Sequence, residues 1–445
     1  MWGGSGDAKD SVGLLPGRET IGPLLLMAVT PVFIFVLWHI MFHCNGDMVL
    51  FYSTVTADGF QWYGAPNSLF PSPFDPLAWK IIGVYMAVEL LFMKAMPGAK
   101  FEATMTAKGN TPVYKANGMQ SFLGSLALLL GLAYYGVINP AVVYDKFGEL
   151  LMSMNVFALL FCAMLLVKGY LAPSSTDSGS TGNMIIDFYW GTELYPRVFG
   201  WDVKTFTNCR FGMMFWALGI LCFAFKQYED LGHISSSMFV CVALQLIYIT
   251  KFFWWETGYW CSMDIQHDRA GYYICWGCLV WLPCVYTSQT FYLVKHPVQL
   301  GTVGTILNLV AGFLAIWINY DADRQRQFFR KCNGECTIWG SAPRMIIAKY
   351  TSKGEERMSL LLASGWWGLS RHFHYIPEIL ASLFWTVPSV GITENQVIPY
   401  FYVVYLTILL FDRAWRDDER CRSKYGRYWE QYCDIVPKKV IPGVI

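Results

Sequence analysis

The chain has 445 residues, of which 55% are hydrophobic and 17% aromatic, while only 15% carry charge. A soluble domain carries about 25% charged residues, so an ordinary water-soluble globule is excluded. The formal net charge of +1 gives no global pull toward nucleic acid, and the local distribution of charge matters more.

Asp7, Lys9, Asp10 and Arg18 precede the first apolar run, Ile21–Phe42. That run is too long for a secretory signal core and has no small-residue cleavage site, so it reads as an uncleaved first span. A bilayer-crossing helix needs roughly 20 apolar residues. Comparable runs lie near Leu77–Met96, Met119–Val142, Leu150–Leu171, Phe211–Phe225, Ser236–Trp254, Gly271–Val294 and Val303–Tyr320. Two more are Leu360–Leu369 with Ile376–Val390, and Val397–Phe411. The expectation is an all-α polytopic membrane protein with about ten transmembrane helices. Ser370, Arg371, His372 and His374 interrupt the run after Leu360, and Pro377 and Pro388 follow. A broken or cavity-lining helix is expected there.

Lys100–Asn117 and Ser174–Gly182 read as polar loops, and Asp321–Arg357 as the longest late connector. That connector is rich in Arg and Lys, as is the tail after Phe411, so both are placed on the cytosolic side. The chain divides into a short tail (1–20), N-terminal helices (21–235) and a C-terminal catalytic and cofactor-binding region (236–445). Internal repeats and coiled-coil heptads are not evident.

The thirteen cysteines are mostly scattered. Cys275 and Cys278 form a CxxC inside an apolar run, without a second pair for zinc. Cys332 and Cys336 have disulfide spacing, but free thiols are the expectation. His39 and His43 are four apart on a helix, yet seven histidines are too few and too dispersed for a clustered di-iron site, so no metal is expected. A GxGxxG between strand and helix is missing, so a nucleotide must be held another way.

Arg326 and Arg330 are four apart and share a helix face. They can anchor a helix end or contact phosphate, which suits the planar guanidinium. Arg371, His372, His374 and Tyr375 follow Trp366 and Trp367. The tryptophans alone fit an interfacial belt, but the polar cluster fits a stacked heterocycle and a phosphate. Arg413 and Asp417 are an i, i+4 pair, with Tyr425 beyond them on a charged stretch that also fits a solvated helix. Tyr248, Glu256, Asp264, His267 and Asp268 surround an acid-rich aromatic segment. There an acid or phenol kept neutral by low polarity can donate a proton, or Glu256 and Asp264 can simply pair with Arg or Lys.

Ordered blocks along nearly the whole chain resemble the sterol reductase family of the endoplasmic reticulum. They include YKANG (Tyr114–Gly118), TGN (Thr181–Asn183), GTELYPR (Gly191–Arg197) and YITKFFWWE (Tyr248–Glu256). WGCLVWLPCVYTSQTFYLVKHPVQL (Trp276–Leu300), SGWWGLSRHFHY (Ser364–Tyr375) and RCRSKYGRYWEQY (Arg420–Tyr432) continue the series. Within the family, YKANG, HPVQL, CTIWG and the closing VIPGVI are most similar to the Δ7-reducing branch. The resemblance implies NADPH-dependent reduction of a sterol ring double bond, with the C-terminal half forming the cofactor pocket. It matches Arg326, Arg330, Trp367, His372, His374, Tyr375, Arg413 and Tyr425 to NADPH-binding positions, and Tyr248 and Asp417 to a proton-donor pair. Five positions depart from the family pattern: Arg326 for Lys, His374 for Asn, Glu378 for Asp, Tyr195 for Asn and Lys251 for Asp.

An isolated alkene is a poor hydride acceptor, so the expected route is protonation followed by hydride transfer. The acid must be dry and protonated, and burial raises a carboxyl pKa toward that state. Arg326, Arg330 and Arg413 would offset phosphate charge. Trp254, Glu256, Trp276 and Trp281 are expected to contact the rigid apolar substrate. The expected partners are a sterol from the bilayer, membrane lipid and a sterol-processing complex or second copy, but not nucleic acid. A Δ14 or other double-bond specificity is the nearest rival. A non-catalytic sterol-binding role is the alternative from another class, though the short N-terminal tail argues against the family's nucleic-acid-binding branch.

Overall fold

The computed structural model describes residues 20–65, 67–106, 108–352, 355–389 and 397–444. The short tail expected at 1–20 and the end of the span expected at Ile376–Val390 thus fall largely or partly outside the described residues. Among the described residues, six helices are long and apolar enough to cross a membrane. They are Ile21–Phe42, Pro76–Ala95, Phe147–Leu171, Thr205–Leu231, Ser236–Trp254 and Gly301–Lys331, and Gly118–Tyr134 is a shorter apolar helix. The protein is a polytopic helical membrane protein.

Local chemistry sets the helix ends. Asp75 starts Pro76–Ala95 by accepting the Ala78 amide at 2.8 Å, with Pro76 in the first turn. Ser235 does the same for Ser236–Trp254 through the Met238 amide. Gly232, at φ +73°, closes the helix that ends at Leu231. Thr205–Met213 and Gly277–Tyr286 have π-helical hydrogen bonding, and Pro283 lies inside the second. Gly212 lets the two approach: a Cβ there would sit 2.8 Å from the Cys278 carbonyl oxygen.

The chain forms two compact units. The first comprises Gly17–Thr305 with Thr386–Tyr402. Its interior post is the Thr205–Leu231 helix, whose most apolar window is 78% buried, against 17% for Pro76–Ala95. Two short antiparallel hairpins, Ala99–Glu102 with Val113–Ala116 and Arg197–Val198 with Trp201–Asp202, decorate it.

The second unit comprises Ile306–Trp385 with Val403–Ile445. Here the structure corrects two expectations. The apolar run expected to stop at Tyr320 continues as one helix to Lys331, because the charged residues that suggested a loop are also good helix formers. The segment Leu360–Leu369 is not a membrane span. Met345–Ser352 and Glu355–Leu362 pair as an antiparallel hairpin in register Met345↔Leu362 to Ser352↔Glu355, and Trp366–Leu369 is one helical turn. The hairpin packs Ala348 and Leu361 against Trp429, Tyr432 and Val436. The Tyr432 hydroxyl donates to the Leu362 carbonyl at 2.9 Å. Burying such side chains is worth roughly 1.5–3 kcal/mol each, enough to fix the Arg427–Ile435 helix on the hairpin.

Candidate functional site

In the second unit, the turn from Gly365 to Tyr375 carries four of the eight candidate cofactor residues, Trp367, His372, His374 and Tyr375. Gly365 has φ +62°, and a Cβ there would meet the Gln325 Oε1 atom at 2.2 Å. Only glycine fits this close approach. Trp367 is buried and donates its indole N–H to the Ala322 carbonyl at 2.7 Å. The Arg326 guanidinium lies 4.2 Å from the Trp367 ring centroid, a cation–π contact. The other side of the cluster is aromatic. His374 lies 4.9 Å from Trp367 and 4.2 Å from Tyr375, while His372 stacks on Tyr375 at 5.4 Å with the rings 8° from parallel.

Asn319 fixes this turn from the Gly301–Lys331 helix. Its side-chain amide donates to the His374 carbonyl at 2.8 Å and to Glu378 at 3.0 Å. Asp321 accepts from the Trp366 indole at 2.9 Å and from Gln325 at 3.0 Å. Neither Asn319 nor Asp321 stood out in the sequence. The usable signal was a polar pair two residues apart at the end of an apolar run.

His372 is buried, and its Nε2 has no hydrogen-bond partner among the described residues. Burial pushes its imidazole down to about 4, against the opposing pull of Asp417 and Asp418. The ring is therefore neutral near pH 7. Asp417 Oδ2 lies 4.0 Å from that nitrogen, and Arg420 donates to Asp417 Oδ1 at 2.7 Å. Burial would raise the Asp417 carboxyl, but the Arg420 and Arg326 guanidiniums outweigh it and hold the group below its ordinary range. Burial alone therefore does not keep this carboxyl protonated. The ion pair wins because Arg420 is in direct contact.

Arg413, Asp417 and Arg326 all lie within electrostatic reach of Tyr375, whose phenol burial pushes upward. Arg330 is on the exposed face of its helix, within reach of Arg326, Tyr425 and Asp417. The Tyr425 hydroxyl donates to Ser359 Oγ at 3.3 Å, and its ring meets Tyr350 edge-on at 5.6 Å. The structure thus gathers Arg326, Arg330, Trp367, His372, His374, Tyr375, Arg413, Asp417 and Tyr425 in one unit. Three guanidinium groups, ring faces and an unsatisfied buried imidazole suit a phosphate-bearing ligand with a flat heterocycle.

Tyr248 belongs to the first unit. It is half-buried, 5.7 Å from Trp216, with the Lys251 ammonium 5.1 Å from its ring centroid. Trp216 also meets Tyr286 at 5.2 Å, and Tyr286 meets Tyr402 at 4.7 Å. Beneath them the Trp216 indole donates to Gln245 at 2.6 Å, and Gln245 donates to Thr290 at 2.7 Å. Tyr248 therefore sits on a rigid aromatic platform with a satisfied polar base.

The four expected substrate contacts divide into two pairs. Trp276 is buried, donates to Asn155 at 2.8 Å and lies 6.4 Å from Trp281, which faces Phe33 and Phe401. Trp254 is 72% exposed on the outer surface. It shares a cavity of about 250 Å³ with Glu256, Gln120 and Phe253. That is below the roughly 300–1,000 Å³ of a typical ligand pocket. Glu256 is committed elsewhere: it forms a buried ion pair with Arg210 and accepts the Gly118 amide at 2.8 Å. Arg210 also donates to Asn117 Oδ1 at 2.8 Å, and Asn117 donates to carbonyls of Met93 and Met96 at the end of the Pro76–Ala95 helix. Of the two readings open for Glu256, the structure shows the pairing with an arginine.

Metal geometry is absent among the described residues: no group of three or more His, Cys, Asp or Glu is placed to hold an ion. Cys275, Cys278, Cys332 and Cys336 are all free thiols.

Six helices able to cross a bilayer, with a cationic, aromatic cluster in the second unit, define a polytopic membrane protein. The chain belongs to the ergosterol biosynthesis ERG4/ERG24 family, whose profile matches residues 17–445. It is 54% identical over 426 residues to a 7-dehydrocholesterol reductase of Arabidopsis thaliana, covering 95% of this chain and 96% of that protein. A 7-dehydrocholesterol reductase of Danio rerio is 35% identical, covering 90% of this chain and 83% of its own length. A Δ14-sterol reductase of Methylotuvimicrobium alcaliphilum is 34% identical, with coverages of 95% and 94%.

Proposed function

We propose that this chain is a sterol reductase of the endoplasmic reticulum membrane that saturates the C7–C8 double bond of a Δ5,7-sterol with NADPH. The observation that carries the reductase reading is the convergence of Arg326, Trp367, His374 and Tyr375 beside Asp417. The choice of double bond rests on the 54% identity to the Arabidopsis protein named for 7-dehydrocholesterol.

When bound, NADPH supplies hydride. Arg326, Arg330 and Arg413 offset its phosphate charge, while Trp367, His374 and Tyr375 offer ring faces to its heterocycles. The neutral His372 has its Nε2 free to donate or accept. Tyr248 and Asp417 are the proton-donor pair. Addition of H⁺ at carbon 8 of a 5,7-diene leaves an allyl cation over carbons 5 to 7, and hydride closes carbon 7. One proton and one hydride are consumed, and the Δ5 bond remains. Arg420 is an exposed side chain, and its withdrawal is the step by which Asp417 would take up its proton. The cation must be kept from water, which would otherwise capture it.

The test uses the full chain in lipid nanodiscs with NADPH and, separately, a 5,7-diene and an 8,14-diene sterol. Conversion of the 5,7-diene supports the proposal. Preference for the 8,14-diene instead favours the reading suggested by the Methylotuvimicrobium relative. Tight sterol binding without NADPH oxidation would favour a non-catalytic role. With 4-deuterated NADPH, label at carbon 8 refutes the proposed regiochemistry.

A further inference from the structure

The turn that carries His372 is clasped by the end of the chain. The backbone amides of Arg371 and His372 donate to the carbonyls of Lys438 and Lys439, at 3.0 and 2.8 Å. The Ser370 hydroxyl donates to the Val440 carbonyl at 2.5 Å. These bonds join the turn at 370–372 to residues 438–440, outside any regular sheet. The Arg371 side chain then turns back on the same segment. Its Nη1 donates to the carbonyls of Val436 and Pro437 at 2.8 and 3.0 Å. Its Nε donates to Asp418 at 3.1 Å, and Lys439 reaches the other Asp418 oxygen at 3.3 Å.

The arrangement is costly unless it serves to hold something. Arg371 and Asp418 are each only 7% exposed, and a buried ion pair by itself adds little net stability. What it does provide is geometry. Asp418 follows Asp417 on one helix, and Arg371 precedes His372 on the turn. The Arg371–Asp418 pair therefore ties together the two backbones whose next residues are His372 and Asp417, with 4.0 Å between their side chains. Lys439 locks the tie from the chain's end.

We infer that the Val436–Val440 segment, with Arg371, Asp418 and Lys439, is a positioning clasp for the NADPH site. This rests on the reading of the His372–Arg326 cluster as that site. The clasp does not touch the reacting atoms. It sets the distance between His372 and Asp417 and keeps the imidazole oriented toward the cofactor. Loosening it weakens NADPH binding while sterol binding is retained.

The experiment uses the full chain in nanodiscs and three changes: a stop after Pro437, Asp418→Asn, and Lys439→Met with Lys439→Arg as its rescue. Hydrogen exchange at the Arg371 and His372 amides is read without cofactor, and NADPH Kd is then measured by fluorescence. The expected result is faster exchange at both amides in the truncated chain. NADPH Kd should rise roughly tenfold, the scale of one misplaced charge-assisted contact. KM for sterol should stay unchanged, and Lys439→Arg should recover most of the affinity. Faster exchange with wild-type NADPH Kd overturns the inference, because the clasp is then structural only. Unchanged exchange overturns it as well, because the contact then holds nothing. If the truncated chain fails to fold, the point variants carry the same test. Arg326→Ala separates the two levels: if it leaves NADPH Kd intact, the site reading itself has failed, whatever the clasp variants do.

Discussion

Glu256 offers the sharpest test of structural against substrate-binding roles. Its carboxylate faces Arg210, and their side chains are 3% and 0% exposed. Glu256→Gln keeps an acceptor for the Gly118 amide but leaves the guanidinium without its counter-charge. Breaking one side of a buried pair costs about 3–5 kcal/mol. The entropy of unfolding scales with length, so for a 445-residue chain 1 kcal/mol shifts the melting temperature by about 1 °C, and a drop of about 3–5 °C is expected. The double variant Arg210→Met with Glu256→Gln removes the stranded charge. It should lose less than half as much, because well-packed neutral replacements of buried pairs are often near neutral. The assay is thermal unfolding of the purified chain in one detergent, with sterol KM measured in parallel. A Glu256→Gln protein that melts like wild type but shows a raised sterol KM would refute the structural assignment and return Glu256 to the substrate.

Asp417→Asn should abolish turnover while NADPH Kd stays within about threefold of wild type, a difference below 1 kcal/mol; full turnover would remove Asp417 from the proton-donor pair. Arg420→Ala removes the contact that holds the Asp417 carboxyl low. If turnover needs that carboxyl protonated, activity falls as pH rises through its pKa, so the alkaline limb of the kcat profile should move to higher pH; a superimposable profile would refute the link. His372 is buried neutral, with its pKa depressed from 6.5 to about 4. The unfolded chain then binds the extra proton, so stability is full above about 6.5 and is lost as pH falls toward 4. His372→Gln should flatten that acid loss in pH-dependent melting. Gly365→Ala forces a side chain into a left-handed backbone and against Gln325. It should cost about 1–3 kcal/mol and weaken NADPH binding; wild-type melting would show that the turn is not constrained as described.

Much of the fold was legible because lipid solubility is written in composition. Helices such as Ile21–Phe42 and Ser236–Trp254 match their expected bounds, since long apolar runs have few alternatives in a bilayer. The hairpin Met345–Leu362 was hidden because its strands mix apolar and charged residues. Leu360, Leu361 and Leu362 read as the start of a span, yet they end a strand. Short apolar runs do not separate strand from helix by periodicity alone. The candidate site was legible as residue types clustered near Arg371. Its supports were not, because Asn319, Asp418 and Lys439 act through partners 21 to 59 residues away, spacings that no local pattern announces.

The motifs that carried the resemblance divide into two physical kinds. Asn117, Arg210 and Glu256 direct polar groups at one another and frame the helices, with only the Arg210 Nε of the guanidinium left without a partner among the described residues. In the second unit Arg371 and Asp418 are likewise matched, but His372, held between them and Asp417, keeps a buried nitrogen without a partner. Burying a polar atom without a hydrogen bond is costly, and a fold that pays for Arg371 with three acceptors has no structural reason to leave its neighbour bare. The unmatched atom is best explained by a ligand that completes the set. Within the RHFHY segment the matched Arg371 supports the turn, and His372 beside Asp417 offers the open position to a ligand.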